Sequence, residues 1–144
     1  MSVRVFSQLY YHFIWTTKNR QPQLTGYLHN CVLEVIAKNV KDQGGRLIAL
    51  NAMPDHVHLL VSLSPTMSPS FFIGKVKGAS SYNCNKSVDD GKLIYWQNGF
   101  GVLTVREGDL DILINYIENQ QLIHEQRKHI ELFEKQEPDA VIGE

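Results

Sequence analysis

The stretch RLIALNAMPDHVHLLVSL, residues 46–63, decides the fold because it reads as two strands joined by a short turn. Branched and apolar residues dominate Arg46–Ala52 and His56–Leu63, and this composition is typical of strands. Between them, Met53-Pro54-Asp55 is typical of a turn, since proline and aspartate both favour turn conformations. The stretch therefore predicts two neighbouring strands of an antiparallel sheet.

A helix is predicted on each side of this pair of strands. Before the pair, apolar residues recur at helical spacing from about Tyr27 to Asp42, and Gly44-Gly45 ends the helix. After the pair, Ser68-Pro69 begins a second helix that runs to about Asn85, because proline is tolerated in a first helical turn.

Two outer strands and a last helix complete the pattern. Leu9–Thr17 is rich in aromatic and β-branched residues, and Leu93–Val105 contains a fourth strand that is interrupted near Gly99-Phe100-Gly101. Gly108-Asp109 caps a long last helix. The order β-α-β-β-α-β-α predicts an α+β fold, a ferredoxin-like antiparallel sheet backed by helices, plus a long C-terminal helix. Such a sheet leaves one face for a ligand or a further helix.

Length and composition predict one globular domain over residues 1–144, with a flexible acidic tail over about 136–144. Hydrophobic residues make up 43% and charged residues 20%, which excludes a disordered or collagen-like chain. No apolar run approaches the roughly 20 residues of a membrane span, so no membrane partner is expected. Cys31 and Cys84 form no Cys-x-x-Cys pair, which argues against a disulfide framework or a zinc ribbon. A reducing cytoplasm is therefore the expected location.

The net charge of −1 hides an asymmetry along the chain. Residues 1–106 hold 11 Lys and Arg against 5 Asp and Glu, whereas residues 107–144 hold 3 against 10. A basic body is compatible with a polyanion such as nucleic acid. A solvated surface with a solubilising tail explains the same charges more simply, so charge alone demonstrates no ligand.

His56 and His58 are the sharpest chemical signal. Side chains alternate along a strand, so both imidazoles point to one face while Val57 points into the core. Two adjacent imidazoles form half of a divalent-metal site. The alternative is that they are two half-exposed polar positions on an amphipathic strand.

Tyr116 and Gln120 are the second signal, since residues four apart share one face of a helix. A tyrosine hydroxyl with a pKa of about 10 is a poor nucleophile, but it becomes useful against a metal-bound phosphodiester. The amide oxygen of Gln120 is a candidate to complete the metal site. The alternative is a buried tyrosine and a surface glutamine on an amphipathic helix.

Together these two signals resemble the single-tyrosine HUH transposases, the small transposases of minimal bacterial insertion sequences and their relatives associated with repetitive extragenic palindromes. Three stretches are similar to sequence motifs of the family: Met53–Leu60, Phe72–Ser81 and Tyr95–Gly101. His124, eight residues after Tyr116, also fits the family's helix pattern. The resemblance covers roughly residues 10–133.

The resemblance implies a DNA transposase that cleaves and rejoins single-stranded DNA at hairpin-containing ends. In such enzymes the tyrosine, here Tyr116, forms a 5′-phosphotyrosine link and releases a 3′-OH. His56, His58 and Gln120 would be the ligands of a divalent metal, Mg²⁺ or Mn²⁺. The family works as a homodimer in which the catalytic helix of one subunit can complete the site of the other. A bacterial or archaeal cytoplasmic location, associated with the nucleoid, follows.

Contacts with DNA are less well defined by the sequence. Lys18 and Arg20 in the first loop and Lys75 and Lys77 on the second helix are candidates for phosphate contacts. Tyr10, Tyr11 and Trp15 are candidates for stacking on unpaired bases. For both groups the simpler alternative is ordinary: a solvated helix face for the cations and a protein core for the aromatic rings.

Two related functions stay open. Rolling-circle initiators and relaxases also pair His-x-His with a tyrosine, but they usually complete the site with a third histidine and are commonly longer. A domesticated hairpin-DNA-binding protein that does not mobilise itself is the other alternative. The intact set of Tyr116, His56, His58 and Gln120 argues against loss of activity.

Overall fold

The computed structural model describes residues 5–86 and 93–120. Within these two ranges, strands and helices follow one another in the predicted order. The strands are β1 (Tyr10–Thr16), β2 (Arg46–Met53), β3 (His56–Ser62) and β4 (Gly101–Val105), and the helices are α1 (Gly26–Asp42), α2 (Pro69–Asn85) and α3 (Leu110–Glu118). Short 3-10 turns at Lys18–Arg20 and Glu107–Asp109 precede α1 and α3. None of the helices in these ranges is long and apolar enough to cross a membrane.

The strands form one antiparallel sheet in the order β2-β3-β1-β4. The tight turn between β2 and β3 brings Met53 opposite His56 and Asn51 opposite His58. On the other side of β3, Trp15 of β1 lies opposite Val57. The strand that carries the two histidines is therefore central, and the predicted α+β fold with a ferredoxin-like antiparallel sheet is confirmed.

The fourth strand is shorter than the predicted 93–105 segment because only its last part pairs along β1. Residues ahead of it are held by side chains and a backbone carbonyl of α2. The indole N–H of Trp96 donates to the carbonyl of Lys77 and to the hydroxyl of Ser80. The side chain of Asn85 makes two hydrogen bonds to the backbone of Ile94. These bonds replace the ladder that a longer strand would make.

The main core lies between one face of the sheet and the two helices α1 and α2. Val57, Leu59 and Val61 of β3 point into it and are fully buried, as predicted for Val57. Trp15 of β1 is buried in this core, and Tyr10 is buried on the other face of the sheet, so the suggestion that these two rings stack on bases is wrong.

The opposite face of the sheet is covered by α3. Leu113 and Ile117 of this helix pack against Leu60 of β3 and Ala49 of β2 in a second apolar cluster. Over β2 and β3, the sheet face that the sequence leaves for a ligand or a further helix is therefore occupied by the last helix. As a result, β3 is buried on both faces over nearly its whole length.

The structure pairs Cys31 of α1 with Cys84 of α2 as a disulfide, with Cα atoms 5.9 Å apart. The sequence predicts no disulfide framework, and this single pairing is one that the sequence does not predict. The two helices pack side by side, and this tertiary contact brings together residues that are 53 positions apart. Cys-x-x-Cys spacing carries no information about such a contact.

Three predictions fall on residues that the structure does not describe. The extension of the last helix, His124 and the acidic tail over 136–144 all lie beyond residue 120. The described part of the last helix is α3, followed by Asn119 and Gln120.

Candidate active site

His56 and His58 lie on the face of β3 that α3 covers. Their ring centroids are 5.2 Å apart, with the rings nearly perpendicular, and both side chains are buried. The predicted common face is thus confirmed, while the alternative of half-exposed positions is wrong. A neutral imidazole is the form of histidine that binds a metal.

A carboxylate holds the first of the two rings. The Nδ1–H of His56 donates to Oδ1 of Asp55 at 2.7 Å. The other carboxylate oxygen, Oδ2, accepts from Nε of Arg20 at 3.2 Å. The hydrogen bond from His56, with the nearby charge of Arg20 adding to it, lowers the pKa of Asp55 below its ordinary value. A carboxylate on Nδ1 is the arrangement that makes Nε2 the metal-binding nitrogen of a histidine.

A third histidine, His12 of β1, holds the second ring. Its Nε2 lies 2.9 Å from Nδ1 of His58, and the two rings stack at a centroid distance of 5.1 Å. Sequence reasoning missed this residue as part of the site. The sequence signal was a histidine among the mainly aromatic and aliphatic residues of the strand Tyr10–Thr16. The structure shows that this histidine is buried.

Tyr116 reaches the same place from α3. Its ring meets the His58 ring edge-on, with 5.8 Å between centroids, and only 5% of the residue is exposed. Leu113 and Ile117 of the same helix pack in the cluster beside it. The structure therefore brings together the predicted nucleophile and one of the predicted metal ligands.

Gln120 lies just beyond the end of α3. Its side chain is fully buried, and its Nε2 donates to the carbonyl of Tyr116 at 2.9 Å. The surface glutamine that the sequence left as an alternative is therefore excluded. Nearby, Nδ2 of Asn51 donates to the carbonyl of Ile117 at 3.0 Å, and Asn51 stands opposite His58 in the sheet. This bond fastens the end of the helix beside the histidines.

The donor set fits a divalent cation of the predicted kind. Within residues 5–86 and 93–120, no three His, Cys, Asp or Glu side chains form a group that could hold a metal. The amide oxygen of Gln120 is a hard oxygen ligand of the type that suits Mg²⁺ or Mn²⁺, so Gln120 stays the predicted third donor. Two imidazoles and one amide are all neutral, so they leave the charge of the cation undiminished.

The four candidate phosphate contacts do not lie together. Lys18 and Arg20 follow β1 at the end of the sheet that holds His56, since Thr16 pairs with His56. Lys75 and Lys77 lie on α2, which packs on the opposite sheet face. The ammonium of Lys77 donates to the carbonyls of Gln97 and Gly99, each at 2.9 Å, while that of Lys75 lies 5.2 Å from the centroid of the Phe71 ring. Their contact with DNA stays a prediction.

Sequence comparison relates the chain to transposases of insertion sequences. A family model described as IS200-like transposase matches residues 5–120. The ISDra2 transposase TnpA of Deinococcus radiodurans is 32% identical over 120 residues, covering 78% of this chain and 84% of that protein. The transposase of insertion sequence IS200 from Salmonella typhimurium is 30% identical over 115 residues, covering 76% and 75%.

Two solved structures share the fold. The crystal structure of a candidate transposase from Deinococcus radiodurans matches with a TM-score of 0.67 and 30% identity, covering 83% of this chain and 96% of that one. A REP-associated tyrosine transposase bound to a REP hairpin matches with a TM-score of 0.64 and 22% identity, covering 86% and 74%.

Proposed function

The chain belongs to the family of IS200-like transposases, and from that premise we propose that it cleaves and rejoins single-stranded DNA through Tyr116. The observation that carries the proposal is the edge-on contact between the Tyr116 ring and His58, at 5.8 Å. At this contact the proposed nucleophile, on α3, meets a histidine of β3, a residue type that binds metals. The contact supports a shared site for Tyr116 and His58, and His56 lies beside His58 on the same strand.

In the proposed reaction the Tyr116 oxygen attacks the phosphorus of a phosphodiester. The bond from phosphorus to the 3′ oxygen breaks, and a bond from phosphorus to the tyrosine oxygen forms. The phenolic proton is lost and the departing 3′ oxygen gains one, so a 5′-phosphotyrosine and a free 3′-OH result. Rejoining is the reverse attack by a 3′-OH, which conserves the energy of the phosphodiester without an external source.

His56, His58 and Gln120 would hold the divalent cation, Mg²⁺ or Mn²⁺. When bound, the cation supplies charge stabilisation at the phosphate and orients the scissile bond. The protein's own part is to hold both rings in place, through Asp55 on His56 and His12 on His58. Burial by α3 keeps these side chains away from bulk water.

A substrate strand requires more access to Tyr116 than its 5% exposure offers. Displacement of α3 from the sheet would supply this access. The short turn at Glu107–Asp109 between β4 and α3 is the element that would have to change. A homodimer in which α3 completes the site of the other subunit satisfies the same requirement and is part of this proposal.

The DNA is proposed to carry hairpins. The structural relative with a REP hairpin supports this substrate class, as does the basic excess of residues 1–106. Lys18 and Lys75 are the proposed phosphate contacts, since Arg20 and Lys77 make the hydrogen bonds within the protein that are described above. A domesticated enzyme that cuts hairpins without mobilising itself is the second candidate, favoured by the same relative.

The test is a covalent-adduct assay with single-stranded oligonucleotides from both flanks of the gene. Protein and oligonucleotide are incubated with Mn²⁺ or Mg²⁺ and separated on a denaturing gel, with a chelator control. Tyr116→Phe should abolish the protein–DNA band, and chelation should do the same. The matched control is Tyr82→Phe, because Tyr82 is 68% exposed and far from the site in the fold.

The gel separates an enzyme with another nucleophile from a binding protein. A band that persists in Tyr116→Phe would show that another residue is the nucleophile. Hairpin binding without any band, for oligonucleotides from both flanks, would favour a binding protein over an enzyme. Bracketing hairpins beside the gene would indicate a mobile element, whereas scattered palindromes would indicate a domesticated one.

A further inference from the structure

The turn after β1 holds an unusual backbone. Asn19 and Arg20 both have positive φ angles, 56° and 52°, in the left-handed region. Asparagine tolerates this region, but arginine rarely adopts it, so the backbone at Arg20 is strained. Strain of this kind persists only where the surroundings fix it, and it concentrates at functional sites.

The surroundings fix this turn from several sides. The hydroxyl of Thr17 donates to the carbonyl of Gln21 at 2.6 Å, which closes the turn on itself. The N–H of Lys18 donates to the carbonyl of Tyr95, and the N–H of Asn19 donates to the side chain of Gln97. The turn is thus held between its own ends and the segment ahead of β4.

The same turn is also fastened to the residue before the first histidine. The N–H of Thr17 donates to the backbone carbonyl of Asp55 at 2.9 Å. From the far end of the turn, Nε of Arg20 donates to the Asp55 side chain. One turn therefore makes hydrogen bonds to both the backbone and the carboxylate of Asp55. The other carboxylate oxygen accepts the hydrogen bond from His56.

Energetics argue against a mainly stabilising role for this ion pair. The side chains of Arg20 and Asp55 are 54% and 28% exposed. Ion pairs this exposed contribute little to stability because water and salt screen them. Arg20 instead orients the carboxylate of Asp55. It donates to one carboxylate oxygen and leaves the other to accept from Nδ1 of His56.

We propose that Arg20 is a positioning residue of the metal centre, acting through Asp55. The left-handed turn aims its guanidinium at the carboxylate, and the carboxylate keeps the His56 proton on Nδ1 and the ring in one orientation. Nε2 is then the nitrogen that a divalent cation takes. This inference rests on the proposed function, in which His56 is a metal ligand, and it assigns Arg20 a role distinct from a phosphate contact.

The test compares Arg20→Gln and Arg20→Lys with the control Arg46→Gln. Arg46 is also exposed, but it begins β2 opposite Ser62, at the far end of the sheet from His56. The first readout needs no metal and no DNA: the ¹⁵N spectrum of the His56 ring, assigned with a His56→Gln variant. The wild type and Arg46→Gln should show one tautomer protonated at Nδ1, whereas Arg20→Gln should show a mixture.

The second readout is Mn²⁺ affinity without DNA, measured from the spectroscopic signal of the free ion. Direct partners of metal ligands typically contribute 10–100-fold to affinity, so one step further out we expect a loss of about three- to tenfold for Arg20→Gln. Arg20→Lys should fall between Arg20→Gln and the wild type, because an ammonium keeps the charge but not the planar donor. Arg46→Gln should stay within about twofold of the wild type on the same scale.

Unchanged ring spectra and unchanged Mn²⁺ affinity in Arg20→Gln would overturn the inference. A loss confined to single-stranded DNA affinity would also overturn it and make Arg20 a phosphate contact. Failure of the wild type to bind Mn²⁺ would instead contradict the metal site in the proposed function. The ring spectra would then decide alone whether Arg20 fixes His56.

Discussion

Nε2 of His12 lies 2.9 Å from Nδ1 of His58, and both rings are buried. One of these two nitrogens must carry the hydrogen and the other must accept it. If His58 binds a cation through Nε2, its proton is on Nδ1 and His12 is the acceptor. The metal site then fixes the tautomers of two histidines on two strands.

Replacement of His12 should therefore weaken metal binding. His12→Phe removes the acceptor and should lower Mn²⁺ affinity about tenfold or more, the scale seen for direct partners of metal ligands. His12→Gln offers an amide oxygen as acceptor and should retain more of the affinity. The measurement is Mn²⁺ titration beside the yield of protein–DNA adduct. Equal affinity in His12→Phe and the wild type would show that the hydrogen bond does not position His58.

Gln120 provides a separate test of the donor set. Gln120→Ala removes the amide oxygen and should lower both Mn²⁺ affinity and adduct yield by about tenfold or more, since a metal ligand matters at least as much as its outer partners. Gln120→Glu keeps an oxygen donor and should retain metal binding. Loss of the bond to the Tyr116 carbonyl should cost only about 1 kcal/mol of stability.

Thermal unfolding separates these two effects of Gln120. A large fall in melting temperature without a change in Mn²⁺ affinity would make Gln120 a helix-fastening residue and remove it from the ligand set. The Gln120 bond to the Tyr116 carbonyl would then act together with the Asn51 bond to the Ile117 carbonyl in holding the end of α3.

The sequence predicts the order of the elements and the common face of His56 and His58 because both follow from local periodicity. It also places Tyr116 and Gln120 on one helix side. His12 escapes prediction, and Arg20 is predicted only as a phosphate contact, since their partners are 46 and 35 positions away along the chain. Such pairings depend on strand order and register, which no local pattern contains.

Lys77 should prove structural. Its ammonium bonds to the carbonyls of Gln97 and Gly99, and hydrogen bonds to charged groups contribute about 1.5–3 kcal/mol each. Lys77→Met should therefore lower the free energy of unfolding by about 2 kcal/mol or more. Lys75→Met on the same helix should change it by less than about 0.5 kcal/mol, because Lys75 is exposed.

The salt dependence of DNA binding tests the competing role of Lys77. A lysine that contacts phosphate contributes close to one unit to the slope of log affinity against log salt. We expect Lys75→Met to lower this slope and Lys77→Met to leave it unchanged. The reverse result, with unaltered stability in Lys77→Met, would make Lys77 the phosphate contact.

The Cys31–Cys84 disulfide should stabilise the unit that carries the metal ligands. It joins α1 to α2 and closes a chain segment of 53 residues that contains both β2 and β3. A disulfide across a segment of this length typically contributes about 2–4 kcal/mol by constraining the unfolded chain. Cys31→Ser and reduction of the wild type should therefore lower the free energy of unfolding by the same amount. Because neither cysteine lies on the sheet face of the histidines, adduct formation at a temperature where all forms are folded should be unaffected. A wild type whose stability ignores reductant and matches Cys31→Ser would show that the two sulfurs are not bonded in solution.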